Sequence, residues 1–410
     1  MTRIAITGLG AVTALGPDVA SFDRALRDGR SGVAPLSLFD TTGFRTRLAA
    51  AVQGELGAAI DFDGLVARLT DADADHALPN TRPDRFALHA VAAAVAQAGL
   101  GPALLRDAAV VFGTGTGGAE LTESYYRRRR AGTPAPPSMM VPHQPSSVTD
   151  LVARHLGSSG PRSTIMTACS SSATAIGYAA DRVRLGHVKV AIAGGAEGLC
   201  RLTYAGFNCL RASAPDLCRP FDVDRKGLNL GEGAGVLVLE DETHARDRGA
   251  TILAYLLGYG VTADAYHMTA PHPGGDGAAR AMQGALADAG LSVDEVGYIN
   301  AHGTGTPHND AAETAAIKTV FGARAPSLPV SSIKSMVGHT LGAAGAIEAV
   351  ASVLSLLGNF LPPTVHLNTP DPAFGLDFIP NEARAATVNV ILSNSFAFGG
   401  NNTALAFGRA

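Results

Sequence analysis

One thiol, two separated histidines and a lysine are the residues whose surroundings point to chemistry. Cys169 stands in TIMTACSSSATAIGYAADRV (Thr164 to Val183), where an apolar lead ends at one cysteine and a helix-like pattern follows. A thiol at a strand-to-helix turn sits in the field of a helix N-terminus. There a thiolate is stabilised, and the pKa is expected to fall below the free value of about 8.5. His302 lies in NAHGTGTPHND, and Lys334 and His339 in IKSMVGH. A lone histidine is more often structural than catalytic. One followed by Gly-Thr-Gly-Thr at a strand end, however, stands where backbone and hydroxyls approach a ligand closely. A cysteine near one or two histidines is the set used for nucleophilic acyl transfer.

Those residues need elements to hold them. The 48 glycines punctuate short apolar runs that read as buried strands: RIAITGLG, AAVVFGTGTGG, VKVAIAGGAEG, GVLVLE, ILAYLLGYG, VGYINAHGTGT and ATVNVILSNSFAFGG. Helical patterns lie between them. SVTDLVARHLG places Val148, Leu151, Val152 and His155 on one face, with Ser147 as N-cap and Gly157 as stop. PDRFALHAVAAAVAQAG has Pro83 near its start and Gly99 at its end. Alternating strands and helices predict an α/β layered fold.

The chain also repeats itself. AQAGLGPALLRDAAVVFGTGTG, from Ala96, matches ADAGLSVDEVGYINAHGTGT, from Ala287. Each is a helix end, a loop, a strand and then Gly-Thr-Gly. The offset is too long for a solenoid and predicts a duplicated half, with TGLG and LGYG as the matching first strands. The first half then reaches TACSSS and the second reaches SSIKSMVGHTLGAAGAIEAV, with His339 close to where Cys169 falls. Two related helix N-termini would aim a cysteine and a histidine at one cleft.

Composition narrows the function classes. At 410 residues, with 46% hydrophobic and 17% charged residues, the chain has material for a large interior and no case for disorder. A net charge of -4 argues against a dedicated nucleic-acid binder. The opening MTRIAITGLG is too short an apolar run for a signal peptide, and no uninterrupted apolar stretch reaches spanning length. Cys169, Cys200, Cys209 and Cys218 lack paired spacing, so they read as reduced thiols of a cytoplasmic protein without a metal site.

TACSSSATAIGYAADRVRLG, RPFDVDRKGLNLGEGAGVLVLE, DAYHMTAPHPGGDGAARAM, NAHGTGTPHND, SSIKSMVGHTLGAAGAIEAV and SNSFAFGGNN together resemble the β-ketoacyl-(acyl-carrier-protein) synthases. More narrowly, they are similar to the elongating enzymes of bacterial fatty-acid and type II polyketide assembly. The resemblance runs from residue 3 to the C-terminus with every motif in order. It implies a thiolase-like duplicated five-layered αβαβα fold. One half, 1–243, would carry the nucleophile; the other, 244–410, the histidines and the lysine.

It also implies roles. Cys169 would hold the growing chain as a thioester delivered by an acyl carrier protein, which brings its own phosphopantetheine, so no separate cofactor is expected. His302 and His339 would flank the carbonyl of malonyl-carrier protein and stabilise the enolate left by CO2 loss. The backbone N–H groups of Cys169 and Phe398 would hold the tetrahedral oxyanion, with Phe398 as aromatic gate. Lys334, paired with Glu348, would order the site, and Thr304 and Thr306 would contact the pantetheine arm. Asp310 and Glu313 are expected to brace their loop by ion pairing. Residues near Gly113 to Gly118, together with a dimer partner, would shape chain length. That partner would be a second copy or a paralogous chain-length-factor-like subunit.

Some features depart from the pattern. Lys226 replaces the family's usual aspartate, putting any salt bridge there in doubt, and Ala397 stands where glycine is common. With GLNLGEGAG, these details lean towards a specialised synthase, such as one building polyene or reduced polyketide chains. GLGAVTALG imitates a dinucleotide fingerprint, but Gly8, Gly10 and Gly16 do not fit its spacing. YYRRRR reads as a solvated or dimer-facing segment, or as arginines that steer an acidic carrier protein. His267 and His272 carry no assigned role. A thiolase would need a second cysteine in the C-terminal half, and none follows Cys218. A non-catalytic partner subunit would have lost the nucleophile. A Cys-His protease has no use for the duplication.

Overall fold

A computed structural model describes residues 3–52 and 81–410. Ten strands form one mixed sheet: β1 Ile4–Val12, β2 Ala109–Gly113, β3 Arg162–Ile165, β4 Val190–Glu197, β5 Gly233–Asp241, β6 Ala254–Ala263, β7 Tyr298–Asn300, β8 Val330–Ser331, β9 Val390–Phe396 and β10 Asn401–Arg409. Their spatial order is β8-β7-β9-β10-β6-β1-β5-β4-β2-β3.

Outward from the centre, both sides follow one scheme. β1-β5-β4-β2-β3 on one side mirrors β6-β10-β9-β7-β8 on the other, two antiparallel pairings followed by two parallel ones. The sides join where Ile4, Ala5 and Ile6 of β1 pair with Leu256, Tyr255 and Ala254 of β6. The strands that carry TGLG and LGYG thus form the central pair, joined through the residues that precede each motif.

The layers follow from the two-residue alternation of strand side chains. Val110 and Phe112 of β2 pack with Val91 of α1 (Arg82–Ala98) and Val152 of α2 (Ser146–Leu156). Their neighbours Ala109 and Val111 face the other way, in the core with Ile176 of α3 (Ser171–Arg184). In the second half, Ala404 and Ala406 of β10 join Met282 of α4 (Asp276–Ala289) and Ile317 of α5 (Pro307–Phe321). Leu405 and Phe407 instead share the core of α3 with Ile347 and Val350 of α6 (Ala344–Gly358). Helices α1 and α2, the five strands of the first side, α3 and α6, the five strands of the second side, and α4 and α5 make the five expected layers, the one sheet supplying both strand layers.

Local chemistry sets the helix ends. Thr81 accepts the Asp84 N–H, Pro83 occupies the first turn of α1, and Gly99 stops it at φ +65°. Ser147 is not the N-cap of α2: the helix begins at Ser146 after Pro145, and the Ser147 hydroxyl donates to the Pro142 carbonyl at 3.2 Å. The glycines of the false dinucleotide fingerprint have a packing reason. A Cβ on Gly10 would lie 1.9 Å from the Ala90 carbonyl oxygen, because α1 lies directly on the β1 backbone.

Leu341–Gly358 is not an uninterrupted apolar stretch, yet it has the length and composition of a membrane-crossing helix. Its mean hydropathy is 1.7, and Glu348 interrupts it. It is 89% buried, as the middle layer of the fold.

Candidate active site

Cys169 sits on a tight turn, Ala168–Ser170, between β3 and α3. Ala168 has φ +50°, a left-handed value an alanine seldom adopts, and it turns the chain so that the next residue faces the cleft. The three serines hold that turn. Ser170 Oγ donates to the Thr167 carbonyl at 2.9 Å, and Ser171 Oγ to the Ala168 carbonyl at 2.6 Å. Ser172 Oγ accepts the Ala346 N–H at 2.9 Å, tying α3 to α6.

The second half repeats the device before α6, where Leu341 has φ +47°. Matching the two turns pairs Cys169 with Gly342, so His339 lies three residues ahead of the equivalent position. The Gly342 N–H donates to Glu197 Oε2 at 3.0 Å. Glu197, which sequence reasoning overlooked, also accepts the N–H groups of Gly115 (2.6 Å) and Thr116 (3.0 Å).

His302 follows β7, and His339 follows the short helix Lys334–Val337. Their imidazoles lie 5.3 Å apart at 84°, and one donor atom from each lies within 4.8 Å of the other and of Cys169 Sγ. His302 is 2% exposed and His339 is 1% exposed. Burial, then the Lys334 ammonium, hold both well below the ordinary histidine range, so both are neutral. His339 Nδ1 accepts the Leu341 N–H at 3.3 Å, which leaves its proton on Nε2 as a donor. His302 Nδ1 has no partner among the described residues.

The thiol differs from the sequence expectation. Burial pushes Cys169 up to about 11, against the lowering influence of Lys334 and of the Phe398 N–H that donates to its sulfur. Desolvation outweighs the helix terminus here, so Cys169 rests as a thiol.

Lys334 and Glu348 form a buried ion pair, 1% and 2% exposed. Phe398 stacks on Phe207 with centroids 5.7 Å apart and planes at 14°. Ala397 keeps an extended backbone, φ -126° and ψ 158°, while Gly399 and Gly400 that follow it have φ +80° and +73°. Thr304 and Thr306 bond through their hydroxyls at 2.8 Å. Both line a cavity of about 490 Å³ that also reaches Cys169, His302, His339 and Phe398. Phe396 and Asn402, within SNSFAFGGNN but without an assigned role, line it too, as does Phe207, which no motif marked.

One expectation changes. Asp310 and Glu313 brace the loop through backbone N–H groups, not ion pairs. Asp310 accepts from Phe221 (2.8 Å) and Gly305 (3.1 Å), and Glu313 from His302 and Gly303 (both 2.8 Å). The Gly113–Gly118 segment lies outside the cavity. Lys226 gains only an exposed contact to Asp216 at 4.0 Å. His267 lines the cavity and accepts the N–H groups of Thr269 and Ala270 at 3.1 and 3.2 Å, a loop role. The Cys169, His302 and His339 donors form a set that could hold a soft cation. The Lys334 ammonium, close enough to bias all three, opposes a dication there.

Residues 1–245 match the family Beta-ketoacyl synthase, N-terminal domain, and residues 253–368 match Beta-ketoacyl synthase, C-terminal domain. A relative from Synechocystis, 3-oxoacyl-(acyl-carrier-protein) synthase 2, is 41% identical over 99% of this chain and 97% of its own. Among solved structures, the ishigamide ketosynthase/chain length factor superposes with a TM-score of 0.91 at 38% identity, covering 100% of this chain and 99% of its own. A ketosynthase bound to the hexaketide, solved with its type II polyketide acyl-carrier protein, gives 0.89 at 31% identity with both chains fully covered. The motifs that carried the resemblance are thus embedded in full-length kinship, and the chain belongs to the β-ketoacyl synthase family.

Proposed function

We propose that this chain is an acyltransferase performing a decarboxylating Claisen condensation on carrier-bound thioesters, in a type II polyketide or fatty-acid pathway. The observation that carries this reading is the meeting of Cys169, His302 and His339 within 4.8 Å at the end of one cavity. An acyl chain would move from the carrier's pantetheine sulfur to Cys169 Sγ, releasing the carrier thiol. Malonyl-carrier protein would then enter past Thr304 and Thr306. Its C–C bond to the carboxylate breaks, CO2 leaves, and the electron pair becomes an enolate whose oxygen is stabilised by N–H donors of His302 and His339. The enolate carbon attacks the acyl carbonyl. The resulting oxyanion would be met by the N–H groups of Cys169 and Phe398, and collapse expels the cysteine sulfur. Neutral imidazoles suit this task, since each can present an N–H without a charge to bury.

Lys334 and Glu348 would set the local potential, and Asp310 and Glu313 would hold the histidine loop. The phosphopantetheine arrives on the carrier, so the chain would need no cofactor of its own. Residues 1–243 and 244–410 would act as the nucleophile-bearing and histidine-bearing halves. Free cysteines throughout support a cytoplasmic setting.

The test is intact mass after incubation with an acyl-carrier protein, beside Cys169→Ala. An acyl-sized gain lost in Cys169→Ala supports the assignment, and a gain that survives overturns it. A second reading, favoured by the chain length factor present in a structural relative, is activity only as a heterodimer with such a partner. Loading that occurs with a co-expressed partner but not alone selects that reading.

A further inference from the structure

Residues 227–231 of the N-terminal half cross to the C-terminal half and touch both histidine loops. Asn229, fully buried between Leu228 and Leu230, is the hub. Its carbonyl accepts the His339 N–H at 2.7 Å, and the Gly231 N–H returns a bond to the His339 carbonyl at 2.9 Å. Its side chain uses both ends of the amide: Oδ1 accepts the Cys218 N–H at 2.7 Å, and Nδ2 donates to the Asp216 carbonyl at 3.0 Å. This seats Cys218, whose thiol donates to the Thr304 carbonyl at 3.2 Å, two residues beyond His302. The Gly227 N–H donates to the Gly305 carbonyl at 2.9 Å.

The contact has no slack. Gly305 has φ +75°, and a Cβ there would lie 2.8 Å from both Cys218 Sγ and the Gly227 carbonyl oxygen. The strap therefore fixes the height of the Thr304–Gly305 segment while its other edge fixes His339. Neither Asn229 nor Cys218 lines the cavity. A buried asparagine between leucines is costly unless its amide is satisfied, and a satisfied one specifies a single arrangement. Asn229 spends its amide on the 216–218 turn, and through it on the loop of His302.

We infer that Asn229 and Cys218 are positioning residues that set the separation of His302 and His339. The inference rests on the ketosynthase reading above. A misplacement near 1 Å at a reacting centre costs on the order of a hundredfold in rate. Asn229→Ala frees the turn and leaves the Cys218 N–H and Asp216 carbonyl without their partner. Cys218→Ala removes the support under Thr304 alone, and Cys218→Ser restores a donor of similar size.

The experiment uses the full chain, with its partner subunit if loading requires one. It measures CO2 release from malonyl-carrier protein, alkylation of Cys169 by iodoacetamide, and the urea midpoint. Cys218→Ala is expected to lower kcat for decarboxylation by about tenfold, and Asn229→Ala by up to about a hundredfold. Cys218→Ser should recover to within about threefold, and alkylation should stay within about twofold of wild type throughout. Wild-type decarboxylation in a folded Cys218→Ala overturns the inference. So does a parallel fall of decarboxylation, alkylation and urea midpoint, which marks a merely structural role. If Asn229→Ala does not fold, the Cys218 pair decides. A wild-type chain that neither loads nor decarboxylates sinks the ketosynthase reading itself, whereas an active wild type with unaltered variants sinks only this inference.

Discussion

Replacing Lys334 by methionine tests how the ion pair at the floor of the site acts. Its ammonium bonds Glu348 Oε1, both side chains are almost wholly buried, and Glu348 Oε2 has no partner among the described residues. Removing one member of such a pair leaves an uncompensated buried charge, at a cost of about 3–5 kcal/mol. Lys334→Met should lose that much stability in urea unfolding, while Lys334→Met with Glu348→Leu should return to within about 1 kcal/mol of wild type. Activity should not return with it. Lys334 opposes the burial that pushes Cys169 up to about 11, so its loss raises the thiol further. At pKa 11, about one thiol in a thousand is ionised at pH 8. Both variants should therefore alkylate with iodoacetamide more slowly than wild type at that pH. A single variant as stable as the double one, or alkylation as fast as wild type in both, would refute the reasoning.

Other perturbations give separate outcomes. Burial, with Asp84 adding to it, pushes Glu120 up to about 7. Between its ordinary value near 4.5 and that point the native state holds the extra proton, so stability falls as pH rises through the window. Glu120→Gln should thus match wild type near pH 4 and exceed it at pH 8 by on the order of 2 kcal/mol in urea melts. Gly10→Ala drives a methyl into the α1 backbone and should cost about 3 kcal/mol or more, read from the same melts. Phe207→Ala removes a stack worth roughly 0.5–1.5 kcal/mol over Phe398, so Cys169 alkylation should quicken about two- to tenfold.

The duplication was legible because both halves kept the same strand-turn-helix grammar, down to Gly-Thr-Gly after β2 and β7. The meeting of Cys169 with the two histidines was legible because each stands beside glycine or hydroxyl residues at an element end. What escaped depended on partners distant in the chain. β10 was missed: its core-facing residues Leu405 and Phe407 alternate with Ala404 and Ala406, too small to mark a second buried face. Glu197 ends an apolar strand, and nothing local reveals that its oxygens serve amides at 115, 116 and 342. The resting state of Cys169 was misjudged because the turn is visible in sequence and its desolvation is not. Asp310 and Glu313 were placed correctly but paired wrongly, since the donors that meet them are backbone groups.

The strand order has a consequence for the newborn chain. β10, residues 401–409, lies between β6 and β9 in the interior of its sheet. The second side of the sheet therefore cannot close until synthesis has passed that point, although the five strands of the first side are all made once β5 is complete. During that interval the cysteine turn would lack the Ala346 N–H that ties Ser172, the core residues of α6 and β10, and the Phe398 loop that precedes β10. Such a thiol would stand without His302 and His339 held opposite it. The strand order thus makes closure of the site a late event in folding, since the last strand of the described chain is also an interior one.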